Sequence, residues 1–112
     1  MGLFAYIRDR SRYKELDALA RDIAPAGVDV YERGVDGGEW YIIAGTKTMR
    51  VKFFWDWRDH VMLVYECHPP FRNEDWKCAA IEKLRVEADM EREPYHFIKQ
   101  VLRGYFGDKI RV

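Results

Sequence analysis

The stretch Met49–Cys67 constrains the fold most, because it concentrates large apolar side chains in two short runs. The runs, residues 50–56 and 60–67, are rich in β-branched and aromatic residues, a composition typical of β-strands. They are separated by Trp57-Arg58-Asp59, which contains no glycine, so the turn type is not specified by the sequence. We predict two neighbouring strands of an antiparallel sheet.

The register of these two strands has to be predicted from the pattern of apolar residues. A three-residue loop places Trp55 opposite Val61 and Phe53 opposite Leu63, whereas a two-residue loop sets Asp56 against Val61 and mixes polar with apolar positions. Because one face of such a pair must be buried, the three-residue loop is predicted. The predicted buried face consists of Val51, Phe53, Trp55, Val61, Leu63 and Tyr65.

The other predicted face is the candidate functional surface. Its apolar middle is surrounded by charges of both signs, which is the composition of a protein-binding patch with a polar rim. The candidate binding residues are Phe54, Met62 and Val64 in the middle, Lys52, Asp56, His60 and Glu66 around them, and Trp57 in the turn at the edge.

The residues before this stretch predict a helix. Residues 3–8 suit either a strand or a first helical turn, and we favour the helix. From Ser11 to Ile23 apolar residues recur every three or four positions opposite charged ones, a pattern that predicts an amphipathic helix. Pro25 and Gly27 are expected to end it.

A β-hairpin is predicted from Val28–Val35 and Glu39–Thr46, which flank Asp36-Gly37-Gly38. A turn on Asp36-Gly37 sets Arg33 opposite Trp40 and Tyr31 opposite Ile42. A turn on Gly37-Gly38 would instead oppose Asp36 and Glu39, and like charges directly opposed across a ladder are unfavourable. We therefore predict the turn on Asp36-Gly37.

The residues after Cys67 predict mainly helix. His68-Pro69-Pro70 ends the sheet, and Asn73 is a good N-cap for a helix over 73–81. Residues 83–88 alternate between charged and apolar, so they fit a strand as well as a continued helix. Pro94 is expected to begin a last helix that ends before Gly107, followed by a tail that frays or adds a short strand.

Length and composition predict one domain, residues 1–112, with its own core, since 48% of the residues are hydrophobic. Nineteen basic and nineteen acidic residues cancel, which argues against a protein that mainly coats nucleic acid. No stretch approaches the ~20 apolar residues of a membrane span, and the first residues lack a secretion-signal pattern. With two cysteines only, a cytoplasmic protein is expected.

The predicted fold is α+β. It comprises an N-terminal amphipathic helix, a four-stranded antiparallel meander over about residues 28–67, and two C-terminal helices packed on one sheet face. At the level of fold alone, this arrangement resembles several classes of small bacterial and phage proteins, including secretion-chaperone-like domains, immunity proteins and inhibitors of host defence enzymes. No residue motif distinguishes among these classes, so the resemblance names neither a function nor a target.

Three groups of residues offer side chains suited to metal binding or covalent chemistry. Cys67, His68, Cys78 and His96 offer zinc ligands, but the chain has no Cys-x-x-Cys pair. The cysteines could also pair with His60, His68 or His96 for nucleophilic catalysis, although neither lies in a glycine-flanked turn. Asp56, Asp59 and His60 would suit a small metal-dependent hydrolase, while aspartates in turns more often bond their own backbone.

The function predicted from the sequence is therefore a protein-binding module, an inhibitor or an adaptor, with no cofactor and with a protein partner that could be a second copy of the chain. The metal-dependent hydrolase is the alternative from another class. A second alternative is single-strand nucleic-acid binding through Arg50, Lys52, Phe54, Trp57 and Arg58, which the nearby acidic residues disfavour.

Overall fold

The computed structural model describes residues 3–36, 39–56, 61–69, 84–87 and 94–110. Within them, helix α1 is followed by a five-stranded antiparallel sheet in the order β1-β2-β3-β4-β5 and then by helix α2. The bounds are α1 Leu3–Ile23, β1 Asp29–Asp36, β2 Glu39–Gly45, β3 Arg50–Asp56, β4 Val61–Cys67, β5 Leu84–Glu87 and α2 Pro94–Phe106. None of the described helices is both long enough and apolar enough to cross a membrane.

The α+β class, the N-terminal helix, the antiparallel meander and the last helix are confirmed. Residues 3–8 are helical, as we favoured, and residues 84–87 take the strand alternative and extend the meander by one strand. The helix predicted over 73–81 lies outside the described residues, so the second C-terminal helix stays a prediction.

Both helices end where local chemistry predicts. After α1 a short 3-10 turn, Ala24–Ala26, leads to Gly27, whose φ is 78° and whose N–H donates to the Ala24 carbonyl at 2.9 Å. Helix α2 begins at Pro94 and is followed by Gly107, whose φ is 104° and whose N–H donates to the Arg103 carbonyl at 2.9 Å. Proline at a helix start and glycine just past its end are the residues that these backbone conformations favour.

Both described helices pack on one face of the sheet and bury it. Each fully buried leucine or isoleucine there contributes about 1.5–3 kcal/mol to stability. The core residues are Leu16, Leu19 and Ile23 of α1, Ile98 and Leu102 of α2, Trp40, Ile42, Ala44, Val51, Phe53, Trp55, Met62 and Val64 of the sheet, and Val28 and Ile110 just outside these elements. We call this the helix-covered face.

A polar cluster at the edge of the core joins α1, α2 and β2. Arg12 donates to the Tyr95 hydroxyl at 2.6 Å and to the Glu15 carboxylate at 3.0 Å, and Tyr95 in turn donates to Glu15. Trp40 stacks on the Tyr95 ring with centroids 5.6 Å apart, and the Arg12 guanidinium lies 5.2 Å from the Trp40 ring. These contacts hold the two helices in one position over β2.

The predicted register of the β1–β2 hairpin is wrong, because Asp36 is paired with Glu39 and Arg33 with Ile42. In this register Gly34 stands opposite Tyr41, whose ring occupies the space that a side chain at position 34 would need. Arg33 also forms an ion pair with Asp17 of α1. Two opposed like charges cost only about 0.2–1 kcal/mol, so these contacts outweigh them.

The predicted register of β3 and β4 is also wrong. Trp55 is paired with Met62 and Phe53 with Val64, one position away from the predicted pairs. Met62 and Val64 are therefore core residues, 0% and 5% exposed, and not part of a binding face. A slip of one residue turns every side chain of a strand to the other face. Both alternating sets of β4 side chains are largely apolar, so the pattern does not identify the buried set.

Candidate functional site

The sheet face turned away from the two described helices carries a continuous group of large side chains. Tyr41 is paired with Phe54 and Phe54 with Leu63, while Ile43 is paired with Lys52 and Lys52 with Tyr65. Neighbours of this kind on one face stand about 4.5–5.5 Å apart at Cβ and stabilise one another. We call the six residues Tyr41, Ile43, Lys52, Phe54, Leu63 and Tyr65 the second face.

Lys52 lies at the centre of the second face and is only 7% exposed. Its ammonium nitrogen is 5.0 Å from the centre of the Tyr41 ring and 5.7 Å from that of Phe54. The lysine stem covers apolar surface while the cation is attracted to the ring faces. A positive charge is thus held in one place among aromatic rings.

Tyr41 is held by the hairpin. Its ring fits over Gly34, where an added Cβ would approach the ring carbon Cζ to 2.9 Å, and its hydroxyl donates to Glu32 at 2.9 Å. Burial of the ring, followed by the hydrogen bond to Glu32, raises the pKa of Tyr41 from 10.0 to about 12. Burial likewise raises the pKa of Tyr65. Both phenols are neutral at physiological pH and can act as hydrogen-bond partners.

The contact between Tyr41 and Glu32 can be tested through the raised pKa of Tyr41. Because the pKa of the folded protein lies above the unfolded value, the stabilising effect of the neutral phenol is complete below pH 10.0 and is lost as pH rises through about 12. Glu32→Gln should lower the pKa of Tyr41 part of the way towards 10.0, since burial remains. Tyrosine Cζ NMR shifts measure this, with Asp29→Asn on the same strand as the control. An unchanged Tyr41 titration in Glu32→Gln would contradict the contact.

A cleft of about 330 Å³ adjoins the second face at the end where β1 and β2 are connected. Its wall includes aromatic rings from the helix and from both faces of the sheet together with one carboxylate, that of Glu39. The lining residues are Tyr13, Gly34, Val35, Glu39, Trp40, Tyr41 and Phe54.

Two polar groups of the cleft lining lack partners in the described part of the chain. Glu39 is half-buried and forms no hydrogen bond or ion pair there. The Trp40 indole nitrogen is buried and also has no hydrogen-bond partner. An unpaired buried polar atom such as the Trp40 nitrogen costs about 1–3 kcal/mol, so it marks a functional candidate.

The sequence prediction missed this cleft. It did not consider Tyr13, Glu39 or Tyr41 as site residues, and it interpreted Gly34 only as part of a strand. The signal was weak, because Tyr13 lies 21 residues before Gly34, the first hairpin residue of the cleft, in the sequence. The single clue was the acidic Glu39 directly after the turn.

The predicted binding residues are divided among three places. Phe54 and Lys52 lie on the second face, with the half-buried Asp56 at its edge. Met62, Val64 and Glu66 lie on the helix-covered face, where Glu66 accepts a hydrogen bond from the Tyr105 hydroxyl of α2. Glu66 therefore has a structural contact at the place where a binding role was predicted. Trp57 and His60 lie outside the described residues.

The residues predicted to bind metal or to act in catalysis are not brought together within the described part of the chain. Over residues 3–36, 39–56, 61–69, 84–87 and 94–110, no three His, Cys, Asp or Glu side chains lie close enough to hold a metal ion. His68 lies 3.4 Å from Glu66, and His96 lies 3.1 Å from the Gln100 amide. Because Asp59, His60 and Cys78 are outside the described residues, the hydrolase and zinc alternatives stay predictions.

Comparison with known proteins identifies no relative. No protein-family model matches the chain, and no similar curated protein or solved structure is found.

Proposed function

We propose that this protein is a non-enzymatic binding module, an adaptor or an inhibitor, whose second face contacts a partner protein. The observation that carries the proposal is the row Tyr41, Phe54 and Leu63, whose side chains are partly exposed on the face turned away from both described helices. Aromatic side chains offer large contact area at low cost in conformational entropy, and they are enriched at the centres of protein interfaces.

The surroundings of this row support binding to a protein. The residues stand on three neighbouring strands, so their positions are held by backbone hydrogen bonds before any partner arrives, which lowers the cost of association. Glu32 and Asp56 supply charges at the edges of this row. The simplest partner is a second copy of the chain, and a heterologous protein would use the same face. A buried Cys67 thiol is compatible with the cytoplasm, where we propose that the protein works.

Leu63→Asp tests the proposal, because Leu63 lies on the second face but not in the cleft. We expect the variant to fold and to lose the partner, with affinity reduced at least about tenfold, since a carboxylate would be buried against an apolar contact. Self-association is measured by sedimentation equilibrium. Heterologous binding is measured by capture from the native cell with tagged protein and quantitative mass spectrometry.

Ser11→Asp is the matched control, because it introduces the same side chain at an exposed position of α1. The control should behave as the wild type in both measurements. A partner or a dimer that survives Leu63→Asp at unchanged affinity would contradict the proposed function, as would its loss in both variants.

A further inference from the structure

Strand β1 forms one edge of the sheet. Among the described strands its neighbour is β2, so one side of its backbone is turned away from the ladder. In an antiparallel pair, alternate residues direct both of their backbone hydrogen-bonding groups outward. Val35 is one of these residues, because its N–H points away from β2 and donates to the Tyr13 hydroxyl of α1 at 3.3 Å. By the same alternation, Arg33 directs its backbone N–H and C=O outward.

The contact between Tyr13 and Val35 has a consequence for association. An open strand edge is a template on which a strand of another molecule can pair through its backbone. The Val35 N–H is one of the donors that an added strand would use, and the Tyr13 hydroxyl already accepts its hydrogen bond. A side chain of α1 therefore closes the hairpin end of this edge.

Arg33 holds Tyr13 in this position from the strand itself. Its guanidinium donates to the Tyr13 backbone carbonyl at 3.1 Å and lies 4.9 Å from the centre of the Tyr13 ring. The same guanidinium forms an ion pair with Asp17, one helical turn further along α1. These three contacts keep the Tyr13 hydroxyl at the edge of β1.

The other end of β1 is protected by a bulge. The pairing with β2 shifts between Val30 and Glu32, so Tyr31 is the extra residue. The Arg50 guanidinium carbon lies 3.7 Å from the centre of the Tyr31 ring. A bulge bends an edge strand and interrupts the regular spacing that a second strand needs. The regular part of the edge is therefore the segment after the bulge, which Tyr13 closes.

We propose that the Tyr13 hydroxyl prevents β1 from pairing with the same strand of a second copy of the protein. A second copy is the partner that such an edge accepts, because it carries an identical edge, and two identical edges pair antiparallel about a two-fold axis. The edge is separate from the second face, so the inference does not depend on the proposed function. A closed edge leaves association to the side chains on the sheet faces.

Tyr13→Phe tests the proposal, because it removes the hydroxyl and keeps the ring beside Arg33. It is combined with Leu63→Asp, so that the second face does not contribute to association. In dilute solution the exchange rate of the Val35 amide, measured by NMR, should rise about two- to tenfold over that in Leu63→Asp alone. In sedimentation velocity, the weight-average mass of the double variant should rise with concentration. The Arg33 and Val35 amides should then become protected, since pairing between copies uses them.

Tyr105→Phe in the same background is the matched control. It removes the same atom from a hydroxyl that donates to Glu66 of β4, three strands away from β1, and should behave as Leu63→Asp alone. The same comparison without Leu63→Asp keeps the test independent of that substitution. An unchanged Val35 exchange rate in Tyr13→Phe would overturn the role of the hydroxyl. Unchanged sedimentation, or association without protection of the outward amides, would overturn the proposal that it prevents strand pairing.

Discussion

Met62→Asp is expected to unfold the protein, whereas Leu63→Asp, one residue further along the same strand, is expected to leave it folded. Met62 is fully buried in the core cluster and paired with Trp55, so an aspartate there loses its packing and places a carboxylate in an apolar site. The packing loss alone is about 2–5 kcal/mol, and the buried charge adds several more. A domain has only about 5–15 kcal/mol of stability to lose.

Far-ultraviolet circular dichroism and urea titration of the two variants measure this difference. Leu63→Asp is the matched control, since the same side chain is introduced on the second face. The register predicted from the sequence expects the reverse, with Leu63 buried and Met62 exposed. A folded Met62→Asp together with an unfolded Leu63→Asp would therefore show that Leu63, and not Met62, lies in the core.

Gly45→Ala is expected to cost about 2–3 kcal/mol of stability, a value typical of a substitution that forces backbone strain. Gly45 is buried at the end of β2, where the Thr46 N–H donates to the Met49 carbonyl at 2.8 Å and closes the turn into β3. An added Cβ would collide with the Met49 carbonyl oxygen and lie 2.7 Å from the Arg50 Cα. Because both are backbone atoms, the turn itself would have to move.

Gly104→Ala in α2 is the matched control for that substitution. A Cβ at position 104 meets nothing within 4 Å, and alanine is the better helix former, so stability should rise by about 0.5–1 kcal/mol. Chemical unfolding of both variants gives the two values. An unchanged free energy of unfolding in Gly45→Ala would mean that the β2–β3 turn moves at little cost. That result would contradict the close approach of the two backbones.

Local sequence was sufficient for the helix ends and for most strands. Pro25 and Gly27 stop α1, and Pro94 and Gly107 bound α2, because backbone geometry at these positions depends on one or two residues. The buried side chains of β3, with Phe53 at their centre, were also predicted correctly. They alternate with positions that include the charged residues Lys52 and Asp56. These features need no information from distant parts of the chain.

The pairing of strands and the position of the cleft depended on contacts between distant residues. Met62 and Leu63 are equally apolar, so the pattern of β4 fits either face, and packing under α1 and α2 selects Met62 for the core. The hairpin register likewise follows from the Tyr41 ring over Gly34 and from Arg33 reaching Asp17 of α1. The cleft arises because that register brings Tyr13 next to Glu39 and Tyr41. Such contacts join residues far apart in the chain, and a periodic pattern of apolar residues does not contain them.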